Sequence, residues 1–182
     1  WSGGGFGACE AVLGQVLAVA PHLRERMVLA TKGGIQPGVP YDSSDRYLTA
    51  ACEASLRRLG TDHVELYQVH RPDPFTHPHQ LAGTLQRLID RGLVQMVGVS
   101  NYSPSQTAAL GDALTVPLVS TQPELSAAAL GALGDGTLDM AITHGRTVLA
   151  WSPLSGGRLL SGNGVRAELL ARLDAIAERE GV

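Results

Sequence analysis

The chain has 182 residues, 44% of them hydrophobic and 17% charged, which is enough apolar mass for one core and a single domain. Its formal net charge of -3 comes from 14 basic and 17 acidic residues with no block of like charge, which argues against nucleic acid or an anionic membrane as a partner. No apolar run reaches the roughly 18 residues of a membrane-spanning helix, and the first residues lack the basic and apolar regions of a secretory leader, so a soluble cytoplasmic protein is expected.

In chain order, Glu10 to Ala20 reads as a helix, followed by an apolar strand from Met27 to Thr31. Ser44 or Asp45 then caps a helix with Leu48, Ala51, Cys52, Ser55, Leu56 and Leu59 on one face, and Gly60 stands where a terminating glycine belongs. The second strand is Val64 to Val69. Thr76-His77-Pro78-His79 reads as a solvated loop ahead of a helix striped by Leu81, Leu85, Leu88 and Ile89, which stops before Gly92. Val94 to Val99 is the third strand, and Ser103-Pro104 opens another helix with an N-cap and a proline in the first helical position. Val116 to Thr121 and Thr147 to Trp151 complete five strand-like runs, with helical patterns over Thr137 to Gly145 and, beyond Gly164, over Leu169, Leu170, Leu173, Ile176 and Ala177.

Alternating strands and helices predict a parallel α/β sheet, either closed into a barrel or open and doubly wound. No strand is followed by GxGxxG or a P-loop lysine motif, which takes support from the nucleotide-binding open sheets. Cys9 and Cys52 lack disulfide-framework or zinc-ligand spacing and are expected to be buried thiols in a reducing compartment. His70, Asp73, His77 and His79 make no convincing metal set, so no metal is expected.

Polar or aromatic residues follow each strand: Lys32, His70-Arg71, Ser100-Asn101, Gln122 with Glu124, and Trp151-Ser152. In a (β/α)₈ barrel they would converge on the face where active sites are built.

Thr31-Lys32, Val69-His70-Arg71-Pro72-Asp73, Gly98-Val99-Ser100-Asn101-Tyr102, Thr121-Gln122 and Ala150-Trp151-Ser152-Pro153-Leu154 together resemble the aldo-keto reductase family, as do Glu10-Ala-Val-Leu-Gly14 and Ser55 to Gly60. The resemblance implies a (β/α)₈ barrel that transfers hydride from NADPH to a small-molecule aldehyde or ketone. It implies that Lys32 and His70 are catalytic, beside a tyrosine acid and an aspartate. It assigns Ser100, Asn101 and Gln122 to the nicotinamide carboxamide and Trp151 to stacking on the ring. Ser152, Leu154, Gly156 and Arg158 would lie along the pyrophosphate.

In the family the tyrosine and aspartate precede the glycine turn that leads into Glu10, and neither stands there in this sequence; Tyr41, Tyr47, Tyr67 and Tyr102 match no catalytic position. With about five of the eight barrel strands visible, a Trp1 start, and a helix ending at Val182, residues 1–182 are expected to be a single but partial barrel domain. The alternatives are a nucleotide-binding regulatory or catalytically impaired subunit on the same fold, and a barrel hydrolase or lyase without nicotinamide. Substrate identity and oligomeric state leave no signature here.

Overall fold

The computed structural model describes residues 5–36, 38–39 and 41–182, so the Ser2 to Gly4 part of the opening turn falls outside it. Five parallel strands, β1 (Ala30–Gly33), β2 (Val64–Val69), β3 (Val94–Ser100), β4 (Leu118–Gln122) and β5 (Thr147–Val148), lie side by side in sequence order. A doubly wound sheet reverses its order at a switch point. Here every strand adds to the same edge, which is the winding of a barrel, incomplete in this chain.

The helices are α1 (Ala8–Val19), α2 (Asp45–Leu59), α3 (Pro78–Asp90), α4 (Pro104–Ala113), α5 (Gly131–Gly134), α6 (Thr137–Thr143), α7 (Arg158–Ser161) and α8 (Ala167–Glu180). Their ends follow local chemistry. Ser44 Oγ accepts from Tyr47 N at 3.3 Å to start α2, and Gly60, at φ 68°, ends it in the left-handed region that glycine enters without strain. Ser103 and Gln106 exchange side-chain and backbone hydrogen bonds at the start of α4. Of the expected loop Thr76 to His79, Thr76 and His77 do precede the helix, but Pro78 and His79 begin α3, and His77 is its cap: His77 Nδ1 accepts from His79 N, Gln80 Oε1 accepts from His77 N, and Pro78 occupies the first helical position.

Strand register sorts the side chains. Lys32 pairs with Gln68, Gln68 with Gly98, and Gly98 with Ser120, so these four form one row on one face of the sheet. Buried Gln68 donates from Nε2 to Ser120 Oγ at 3.2 Å along this row. The opposite face meets the helices: the Tyr67 hydroxyl donates to Leu48 O of α2, and the Thr31 hydroxyl to the Glu10 carboxylate of α1. Between sheet and helices Leu48, Cys52, Leu59, Tyr67, Leu85, Leu88, Val97 and Val99 form the core, each buried.

Several boundaries differ from the sequence expectation. β1 starts at Ala30 rather than Met27, because Leu29 N donates to the Glu65 carboxylate at 2.8 Å instead of to a strand carbonyl. β4 starts at Leu118, after Pro117, which has no N–H to give a ladder. β5 is only two residues long, and pairing resumes beyond it as a single bridge between Glu124 and Trp151, past Pro123. Cys9 is exposed on α1; only Cys52 is the buried thiol expected, its pKa pushed up to about 11 by burial. The apolar stripe of α8 lies on a helix with no fully buried residue.

Candidate active site

The residues after the strands converge. Lys32, at the end of β1, donates from Nζ to Gln122 Oε1 at the end of β4, crossing two intervening strands. Asn101, directly after β3, donates from Nδ2 to His70 O at 3.1 Å and to Ser100 Oγ at 3.0 Å. Its Oδ1 accepts from Trp151 Nε1 at 2.9 Å. Ser100 Oγ donates to Gln122 O at 2.9 Å, and Asn101 N donates to the same carbonyl at 3.1 Å. Lys32, Ser100, Asn101, Gln122 and Trp151, with the main chain of His70, are therefore one connected polar cluster drawn from all five strand ends.

Asn101 holds φ 59°, a conformation that asparagine tolerates better than most residues because its short polar side chain bonds locally. That turn brings the amide to both His70 and Trp151. Gln122 Nε2 has no hydrogen-bond partner among the described residues, so one amide of the cluster keeps two donors open.

Burial sets the charges. The Lys32 ammonium is half-buried, and loss of hydration lowers its pKa. His70 is pushed down to about 4, first by burial and then by the positive charges of Lys32 and Arg71, which leaves its imidazole neutral at pH 7. Lys32 and His70 line one pocket with Gly7, Glu10, Tyr47 and Arg58.

The loop after Trp151 is built from unusual backbone. Ser152 and Ser155 both sit at φ 54°, followed by Gly156 at φ 66° and Gly157 at φ 85°. Arg158 folds back onto this loop, Nε donating to Ser155 O at 2.9 Å and an Nη to Ser155 Oγ at 2.8 Å. Leu154 is half exposed and makes no part of the polar cluster.

A family model described as the Aldo/keto reductase family matches residues 5–175. The chain belongs to that family. It is 49% identical over 179 residues to a 6-dehydroglucose reductase of Novosphingobium aromaticivorans, covering 98% of this chain and 59% of the relative. It is 37% identical to a 6-dehydroglucose reductase of Agrobacterium fabrum, covering 98% and 62%, and 33% identical to an L-glyceraldehyde 3-phosphate reductase of Escherichia coli, covering 76% and 42%. A crystal structure of a thermostable aldo-keto reductase in complex with the inhibitor epalrestat superposes with a TM-score of 0.82 at 24% identity, over 95% of this chain and 58% of that one. This likeness establishes the barrel fold. The chain spans about three fifths of the length of the two dehydroglucose reductases that it matches.

In this aldo-keto reductase chain the expected residues separate into three groups. Lys32, Ser100, Asn101, Gln122 and Trp151 are joined by side-chain hydrogen bonds, while His70 joins through its carbonyl and shares a pocket with Lys32. Ser152, Leu154, Gly156 and Arg158 form the separate loop. Sequence reading missed Glu10 and Arg58, which reach the Lys32 pocket from α1 and α2; the motifs Glu10-Ala-Val-Leu-Gly14 and Ser55 to Gly60 drew notice only as family signatures. Among the described residues no group of three or more His, Cys, Asp or Glu is placed to hold a metal, and no helix is long and apolar enough to cross a membrane.

Proposed function

We propose that the intact protein is a cytoplasmic NADPH-dependent reductase of aldehydes or ketones, and that Ser100, Asn101, Gln122 and Trp151, tied to the catalytic Lys32, form its nicotinamide site. The single observation that carries this reading is the connection itself: a cation, two amides and an indole from separate strand ends wired together on one face. Structural polar groups after strands face solvent or cap helices, as Ser103 does, and have no reason to bond across the sheet.

The residues present fit the cofactor. A carboxamide needs both donors and acceptors, and the cluster offers both: Gln122 Nε2 donates to no described residue, and Asn101 Oδ1 and Ser100 Oγ carry acceptor lone pairs. The Trp151 ring is oriented by its bond to Asn101, so its face is held for stacking. In the loop of left-handed residues Ser155 to Gly157, the Ser155 and Gly157 N–H groups are held by Ser152 O and Leu154 O, so the charge offered to a pyrophosphate here is that of Arg158. When bound, NADPH supplies the hydride that reaches the carbonyl carbon.

The chain's own residues manage the proton and the charge. Neutral His70 is able to donate a hydrogen bond to the carbonyl oxygen at pH 7 without competing for the proton. The half-buried Lys32 ammonium, in surroundings of lowered dielectric, stabilises negative charge on a neighbouring phenol and so eases proton release from it. That phenol would be the family's tyrosine, supplied from before the glycine turn. The free thiols of Cys9 and Cys52 suit a reducing compartment. The names of the relatives point to hydroxylated aldehydes as the substrate class.

The test is NADPH oxidation by the intact protein with a panel of sugar aldehydes and simple aldehydes, with wild type and Lys32→Met compared. Aldehyde-dependent oxidation that Lys32→Met abolishes supports the reading. NADPH binding without turnover in the wild type would replace it with the regulatory subunit.

A further inference from the structure

The pocket that holds Lys32 has a second charged centre that the nicotinamide cluster does not use. Glu10, in the first turn of α1, accepts from the Thr31 hydroxyl with Oε1 and from Arg58 Nε with Oε2 at 2.7 Å. An Arg58 Nη also approaches Glu10 Oε2 at 2.6 Å and donates to buried Ser55 Oγ at 3.2 Å. One carboxylate therefore joins three elements: α1, the helix α2, and the β1 residue immediately before Lys32.

Two glycines show how closely these elements are pressed together. A side chain at Gly7 would overlap the Arg58 guanidinium, and one at Gly14 would overlap the Arg58 carbonyl. Gly7 sits at φ 94° directly ahead of α1, so the chain enters the helix lying across Arg58. Gly7, Glu10, Arg58, Lys32 and His70 all line the same pocket.

An ordinary helix-to-helix ion pair on the surface contributes little and need not touch the sheet. This pair differs in that the same carboxylate also holds the strand residue next to Lys32. We infer that Glu10 is a positioning residue: clamped by Arg58, it fixes the Gly5 to Gly7 entry turn and the Lys32 strand at one separation. The inference rests on the reading of Lys32 as the charge that assists proton transfer. The entry turn and Lys32 line the same pocket, so the carboxylate sets where the ammonium stands in it without touching substrate.

The experiment compares Glu10→Gln, Glu10→Asp and Thr31→Val in the intact protein, measuring kcat, KM for an aldehyde, NADPH binding and thermal midpoint. Thr31→Val removes only the bond to the strand and keeps the Glu10–Arg58 pair, so it folds even if Glu10→Gln does not. The expected result is a kcat lower by about tenfold or more in Thr31→Val, with KM and NADPH affinity within about threefold, since misplacing a catalytic group by ~1 Å costs up to 10²-fold. Glu10→Asp should recover part of the Glu10→Gln loss. The inference is overturned if Thr31→Val keeps full kcat, or if every variant loses NADPH binding and thermal stability in proportion to kcat. If wild type itself lacks aldehyde-dependent NADPH oxidation, the reductase reading fails instead, and the two failures are told apart by that control.

Discussion

The Trp151 indole N–H donates to the Asn101 side-chain oxygen at 2.9 Å, across 50 positions of sequence. This bond makes the orientation of the ring depend on a residue that itself needs a left-handed backbone. Replacing Asn101 should separate the two demands. Asn101→Gly keeps the φ of 59° without strain and loses the side-chain bonds; Asn101→Ala loses the bonds and adds about 1–2 kcal/mol of backbone strain. The alanine variant should therefore melt below the glycine variant, while both bind NADPH equally weakly. Equal melting with unequal binding would contradict this division.

Trp151 should carry stacking energy beyond its hydrogen bond. Trp151→Phe keeps a ring and loses the donor to Asn101, whereas Trp151→Ala loses both. The expected NADPH affinities fall in that order, with the alanine variant weaker than wild type by about ten- to a hundredfold. Isothermal titration measures both; a phenylalanine variant as weak as the alanine one would assign the effect to the hydrogen bond alone.

His70 gives a pH dependence whose sign is fixed by the direction of its shift. Its folded pKa of about 4 lies below the ordinary value of 6.5, so the unfolded chain takes up a proton first as pH falls. Stability is unaffected above about pH 6.5, declines as pH drops from there toward about 4, and levels off below. His70→Asn should flatten this part of the profile. Thermal melts at half-unit steps of pH for both proteins read the difference directly.

Gly33 lies where a Cβ would overlap the buried Tyr67 hydroxyl and ring edge. Gly33→Ala should destabilise the protein by about 1–3 kcal/mol through overpacking. Adding Tyr67→Phe should return part of the loss, since the hydroxyl is the nearest obstruction and its bond to Leu48 O is long at 3.4 Å. Chemical denaturation of the single and double variants checks the coupling; strict additivity would show that the ring, not the hydroxyl, sets the limit.

Much of the architecture was legible because periodicity and caps are local. The stripe from Leu48 to Leu59, the Ser44 and Ser103 caps and the Gly60 stop all stand as read. His77 escaped because histidine is an uncommon cap, recognisable only once its ring nitrogen is seen facing the next turn. The start of β1 was misplaced because Met27 to Leu29 is apolar like a strand, yet Leu29 N is taken by Glu65, a side chain 36 positions away. The five strand ends could be read as converging, and the motif order named the family. What sequence could not give was the wiring: Lys32 reaching Gln122, or Glu10 joining Thr31 to Arg58, depends on register and on glycines that let α1 approach α2.

The most direct test of the central claim is a titration of the intact protein with NADPH followed by tryptophan fluorescence, in wild type and Trp151→Ala, with Trp1 as the reference emitter. Wild type should show quenching that saturates with cofactor, and the variant should lose most of that quenching and bind more weakly. Identical titrations for the two proteins, or no binding at millimolar NADPH, would contradict a nicotinamide site built on Asn101, Gln122 and Trp151.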